Sequence, residues 1–148
     1  MIYLVDTNIL LRFTRQSDRQ HPITITAIRT LIQNGHHLQV TPQNCIEFWN
    51  VATRPANKNG FGLTAIQANQ LLTLIESIFP ILSDIPGIYS EWRRLVITYA
   101  VSGVQVHDAR LVAAMKVNNI THILTFNTTD FTRYVSEGIV AVDPTTVA

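Results

Sequence analysis

Two rhythms alternate along the chain. Short runs rich in apolar residues at Ile2 to Val5, His37 to Val40, His122 to Phe126 and Ile139 to Val142 read as strands. Between them, apolar residues recur at helical spacing. Ile9, Leu10 and Phe13 give a short helix from Asn8 to about Arg15, and Ile25, Ile28, Leu31 and Ile32 mark a second. That second helix opens at His21-Pro22 and closes at Asn34-Gly35, the residue types a left-handed cap requires. Thr41-Pro42 caps a third, Gln43 to Thr53. Thr64 and Gln67 form a capping-box pattern ahead of a fourth, ending near Phe79-Pro80. Ile88, Trp92, Leu95, Val96 and Tyr99 line one face of a fifth, which Gly103 should stop. Leu111, Val112 and Met115 mark the buried face of a last helix, Ala109 to Asn118. Ile81-Leu82 reads as a further short strand, and the turn-rich stretch Arg54 to Gly62 as a mobile loop. Strands alternating with helices imply an α/β fold, a three-layer α/β/α sandwich around a central, mostly parallel sheet.

At 148 residues, 47% hydrophobic and only 14% charged, the chain suits one domain, 1–148, with a sizeable core. Cys45 is the only cysteine, so no disulfide framework and no thiolate zinc cluster can form within one chain. His21, His36 and His37 have no cysteine at ligand spacing, which removes the zinc reading altogether. No N-terminal secretion pattern and no apolar run near the roughly 18 residues of a membrane span is present. The expectation is a soluble cytoplasmic protein without a membrane partner. A net charge of +1 neither demands nor excludes nucleic acid.

The acids change this picture. Asp6, Glu47, Asp108 and the turn Asn127 to Asp130 each follow an apolar strand or open a helix, and all should reach one edge of the sheet. Ligands of open α/β sheets bind at that edge. Asp18, Glu76, Asp84, Glu91 and Glu137 fall instead in connections or on outward helix faces. Gathering carboxylates is unfavourable, since two unit charges about 4 Å apart repel by roughly 4 kcal/mol at an effective dielectric near 20. A divalent cation offsets the repulsion and supplies the Lewis acid that phosphodiester hydrolysis needs. Oxygen-only ligands suit magnesium, which gives up its waters reluctantly, or manganese.

Val5-Asp6-Thr7-Asn8, Glu47 after the second strand, Val106-His107-Asp108-Ala109 opening a later helix, and Thr125-Phe126-Asn127-Thr128-Thr129-Asp130-Phe131 together resemble the four signature regions of the PIN-domain nucleases. Their order and the chain length resemble the VapC toxins in particular. The resemblance implies a Mg2+- or Mn2+-dependent endoribonuclease, a homodimer held inactive by a cognate antitoxin protein. It makes Asp6, Glu47 and Asp108 the metal-binding and catalytic acids. The fourth position stays open: many relatives have Asp where this chain has Asn127, and the nearest carboxylate is Asp130, which could ligate directly, act through a water, or cap the next turn.

Thr7 and Asn8 either orient Asp6 or simply cap the first helix. Arg12, Arg15, Arg54, Lys58 and Arg110 are candidate contacts to an RNA backbone, holding phosphates without reading sequence. Two other classes compete. A haloacid-dehalogenase-type phosphohydrolase also begins with Asp after a strand, but needs a second Asp where Asn8 stands. A catalytically decayed PIN domain, acting as an RNA- or protein-binding module, would keep the fold, and Asn127 would be the sign of decay.

Overall fold

The computed structural model describes residues 1–148 and contains one sheet of four parallel strands. These are β1 (Ile2–Val5), β2 (His37–Gln39), β3 (His122–Leu124) and β4 (Val140–Val142), in the spatial order β2-β1-β3-β4. Tyr3 stands beside Leu38 on one side and His122 on the other, and Val5 beside Leu124. The β1 strand is therefore central, paired along both edges, and reads as an apolar run because neither face meets water.

Six α-helices cover the faces: α1 (Thr7–Thr14), α2 (His21–Gln33), α3 (Pro42–Thr53), α4 (Ala65–Ile78), α5 (Ile88–Thr98) and α6 (Val106–Val117). Strand alternation sorts the core into two layers. Tyr3, Val5 and Leu124 join Ile9, Leu10, Phe48, Ile75 and Phe79 of the layer built by α1 to α4. Leu4 and Ile123 turn the other way, onto Leu95, Leu111, Met115 and Tyr134 under α5 and α6. The expected three-layer sandwich is present, and its sheet is parallel throughout.

Local chemistry starts the helices where the sequence places them. Thr41 and Thr64 each accept from the N–H three residues on, from Asn44 and Gln67, whose side chains reach back in turn. Such a cap is worth about 1 kcal/mol. Gly35, at φ +83°, ends α2 in the left-handed conformation its position requires.

Four expectations are corrected. The stretch after α3 is a built turn, with the short 3-10 helix Ala56–Lys58 and backbone bonds from Phe61 to Val51 (3.0 Å), Gly62 to Arg54 (2.8 Å) and Leu63 to Ala52 (2.9 Å). The α5 helix stops at Thr98, well before Gly103, because Ala100 turns left-handed at φ +48°. Ile81-Leu82 is no strand; Ile81 makes a single bridge to Val40. Residues Thr128–Glu137, expected to begin as a polar turn, wind into a 3-10 helix whose Phe131 and Tyr134 are buried.

The strand order reverses between β1 and β3, since the chain moves from β1 to β2 on one side and later to β3 on the other. The crevice beyond the carboxyl ends of these two strands is where an open α/β sheet binds its ligands. Asp6 and Thr125 are the first residues past those ends.

Candidate active site

Asp6 caps α1 and is 7% exposed. Its Oδ1 accepts the Thr7 N–H at 2.7 Å, and its Oδ2 accepts Asn8 Nδ2 at 3.1 Å and the Thr125 hydroxyl at 2.8 Å. Asn8 also donates to Thr125 Oγ1 at 3.0 Å and accepts the Phe126 N–H at 3.1 Å, which ties the end of β1 to the end of β3. Thr7 and Asn8 thus orient the acid, while the cap of α1 is Asp6 itself.

Glu47, on the second turn of α3, approaches from the neighbouring element. Thr7 Oγ1 donates to its Oε2 at 3.3 Å, and Gln43 Nε2 to its Oε1 at 2.7 Å. Asn44 completes the corner, giving Thr7 Oγ1 a hydrogen bond of 3.1 Å. Asp108 enters from the first turn of α6, half-buried. Asp130 lies on the exposed rim in the 3-10 helix, its N–H on the Asn127 carbonyl at 3.0 Å. Asn127, also exposed, gives its N–H to Thr125 Oγ1 at 3.0 Å.

The charges of these acids feel one another. Burial pushes Asp6 up to about 6; the hydrogen bonds from Thr125 and Thr7 oppose it, while the charges on Glu47 and Asp130 add to it. Asp108 rises to about 7, first through burial, then through Asp6, Asp130 and Glu47, with Arg133 pulling the other way. The four acids picked out in the sequence therefore share one electrostatic space, although they come from four elements.

No three Asp, Glu, His or Cys side chains stand close enough as placed to cage one ion. Magnesium and manganese take oxygen ligands. The donor set fits: every candidate ligand atom is oxygen, and two of the carboxylates are raised by burial and by the charge of neighbouring acids, which a cation would offset.

A cavity of about 630 Å³ opens beside Glu47, lined by Thr7, Gln43, Glu47, Asn50, His107 and Arg110 among others. Arg110 is the one candidate cation on its wall. Arg12 lies outside the cavity lining, one helical turn past Asn8, bonded to the Asn8 carbonyl at 3.0 Å with its guanidinium 5.1 Å over the Phe126 ring. Arg15 stacks 4.5 Å over Phe61. Arg54 is turned onto its own loop, donating to the Asn59 carbonyl at 3.1 Å, and Lys58 is exposed on the same turn.

Sequence reasoning missed Gln43, Asn44, Thr125 and Arg133. Thr125 had a readable signal, since it follows β3 as Asp6 follows β1. Gln43 stands one helical turn before Glu47, which puts both on one face.

The family follows from the PIN domain model, which matches residues 3–136: the chain belongs to the PIN-domain family. No curated protein matches it by sequence. Among solved structures, VapBC-1 from nontypeable Haemophilus influenzae is similar at 18% identity, with 98% of this chain and 99% of that one covered and a TM-score of 0.72. VapBC2 from Rickettsia felis, bound to a DNA fragment from its promoter, is similar at 15% identity, covering 97% and 98%, with a TM-score of 0.71. VapC20 from Mycobacterium tuberculosis, described as a sarcin-ricin loop cleaving toxin, matches at 14% identity over 96% and 98%, with a TM-score of 0.68. At these identities the likeness is one of fold.

Proposed function

We propose that the chain is a single-domain, metal-dependent endoribonuclease that hydrolyses RNA phosphodiesters, and that it is the toxin of a toxin-antitoxin pair. The observation that carries the reading is the gathering of acids beyond the carboxyl ends of β1 and β3: Asp6 caps α1, Glu47 is joined to it through Thr7, whose N–H donates to Asp6 at 2.7 Å and whose hydroxyl donates to Glu47 at 3.3 Å, and Asp108 stands in the first turn of α6. Acids gathered against their own charge are unfavourable without a cation, and their oxygens suit Mg2+ or Mn2+. Asp6, Asp108 and Glu47 would hold it, with Asp130 or Asn127 at the fourth position. Bound there, the ion supplies a Lewis acid that stabilises charge developing on the phosphate and favours ionisation of the attacking water.

The chain's own groups do the positioning. Thr7, Asn8 and Thr125 fix both oxygens of Asp6. Arg110 on the cavity wall, and Arg12 one helical turn past Asn8, offer positive charge to flanking phosphates. The cavity beside Glu47 has room for an unpaired nucleotide, the form in which proteins usually read RNA. The solved relatives are toxins or toxin-antitoxin complexes, which supports an antitoxin partner and, through the sarcin-ricin loop cleaving toxin, RNA as substrate. Ile66, Leu74 and Ile78 of α4 are exposed, and this apolar area supports association into a homodimer. No helix is long and apolar enough to cross a membrane, and the cytoplasm is the proposed site of action.

The test is cleavage of a pool of single-stranded RNA and tRNA with magnesium, with manganese and with chelator, by the protein and by Asp6→Asn. Asn still caps a helix, so the fold is kept. Metal-dependent cutting that disappears in the variant is the expected result. Manganese binding with no cutting in any condition would return the chain to the non-catalytic PIN reading.

A further inference from the structure

The side chain that does most to join the two halves of the site is neutral and is not among the acids. Gln43 is 9% exposed, and both its polar atoms are engaged. Its Nε2 donates to Glu47 Oε1 at 2.7 Å and to the His107 carbonyl at 2.8 Å, while its Oε1 accepts from Arg110 Nη1 at 3.0 Å. The partners dictate the amide's orientation. Turned over, it would set a carbonyl oxygen against a carboxylate and a second carbonyl, and an NH2 group against a guanidinium. Arg110 is held from behind by Asp84, 3.3 Å from its Nη2.

Glu47 comes from α3 and Asp108 from α6, helices on opposite faces of the sheet. Gln43 spans that gap. It holds one oxygen of Glu47, and through the carbonyl of the residue before Asp108 it fixes the turn that presents the second acid. With Thr7 donating to the other oxygen at 3.3 Å, both oxygens of the Glu47 carboxylate are held, and Thr7 also donates its N–H to Asp6.

We infer that Gln43 is a positioning residue for the metal site: it sets the orientation of Glu47 and the spacing between Glu47 and Asp108, and so sets the affinity for the divalent cation. The inference rests on the proposed nuclease reading, because it takes Glu47 as a ligand. Hydrogen-bond partners that orient metal ligands change metal affinity by roughly 10- to 100-fold when removed.

The experiment is titration of the purified full-length protein with MnCl2, with free Mn2+ followed by electron paramagnetic resonance, for the wild type, Gln43→Met, Gln43→Ala and Asp6→Asn. Met keeps the length of the side chain without its polar atoms. Ala suits α3 and only widens a cavity already open to solvent, so at least one of the two folds. The dissociation constant should rise roughly 10- to 100-fold in both Gln43 variants. The Mn2+ concentration for half-maximal RNA cleavage should rise in parallel, while kcat at saturating Mn2+ recovers most of its value. A residue with only a structural role would lower the melting temperature in chelator and leave the Mn2+ constant of the folded protein unchanged. Unchanged affinity in the variants, beside a wild type that binds Mn2+ and an Asp6→Asn that does not, overturns the role of Gln43 and leaves the nuclease reading intact. A wild type that binds no better than Asp6→Asn overturns both.

Discussion

Thr125 donates its hydroxyl to Asp6 Oδ2 at 2.8 Å across 119 residues of sequence, and its own Oγ1 accepts from Asn8 Nδ2 and from the Asn127 N–H. One fully buried hydroxyl therefore joins β1, α1 and the segment after β3. Thr125→Val preserves the shape and removes all three bonds. The expected cost is about 1 to 3 kcal/mol in urea unfolding, because donors are left unpaired. The Asp6 carboxyl, having lost a hydrogen bond that lowers it, should titrate higher still in carbon-13 NMR of the metal-free protein. A variant as stable as the wild type, with Asp6 unmoved, would contradict this account of the corner.

Metal removal should make stability depend on pH in a particular direction. Asp6 and Asp108 have folded values raised above 3.8, to about 6 and about 7. Their contribution is full below the unfolded value and is lost as pH rises through the folded ones. In chelator the melting temperature should therefore fall between pH 4 and pH 7. A tenfold change in acid dissociation is about 1.4 kcal/mol, so Asp6 alone accounts for something on the order of 3 kcal/mol. Added Mg2+ or Mn2+ should recover more at pH 8 than at pH 5, as read by differential scanning fluorimetry.

Glu137 predicts the opposite slope at the far side of the molecule. Arg94 lies 2.6 Å from it, Tyr99 Oη donates to it at 2.6 Å, and together these hold its carboxyl down at about 2. Arg94 also pairs with Glu91 at 2.6 Å. The stabilisation is present above the usual value of 4.5 and is lost as pH falls through about 2. Glu137→Gln should cost about 1 to 3 kcal/mol at pH 7. The gap to wild type should shrink steadily between pH 4.5 and pH 2, and a gap of constant size would rule the mechanism out.

Gly60 makes a geometric prediction. A Cβ there would stand 1.9 Å from the Arg54 carbonyl oxygen, a backbone atom that cannot step aside. Gly60→Ala should open the turn between α3 and α4, cost about 1 to 3 kcal/mol, and expose the Arg54 to Gly62 segment to limited proteolysis. Unchanged protease resistance would show that the turn tolerates the methyl group.

The elements with strong periodicity or caps were legible in the sequence. Thr41 and Thr64 start their helices where the pattern puts them, and Ile2 to Val5 forms the central strand. Asp6, Glu47 and Asp108 were legible by position, as acids at strand ends and helix starts. What stayed hidden depends on partners distant in sequence. Gln43 looks like any helix glutamine until α6 brings the His107 carbonyl to it. The turn at Arg54 to Gly62 has loop composition, yet it is ordered by backbone bonds to the end of α3 that no periodicity encodes. Ala100 ends α5 in a conformation that its side chain gives no reason to expect.

The position of β1 between β2 and β3 also has a meaning in time. Residue 6 leaves the ribosome long before residue 125, and at roughly 5 to 20 residues per second the interval is about 6 to 24 seconds. Until β3 emerges, β1 can have at most one neighbour, β2, and Asp6 lacks Thr125. A nascent chain therefore carries its acids unassembled past the machinery that makes it, and the pocket closes only when β3 arrives.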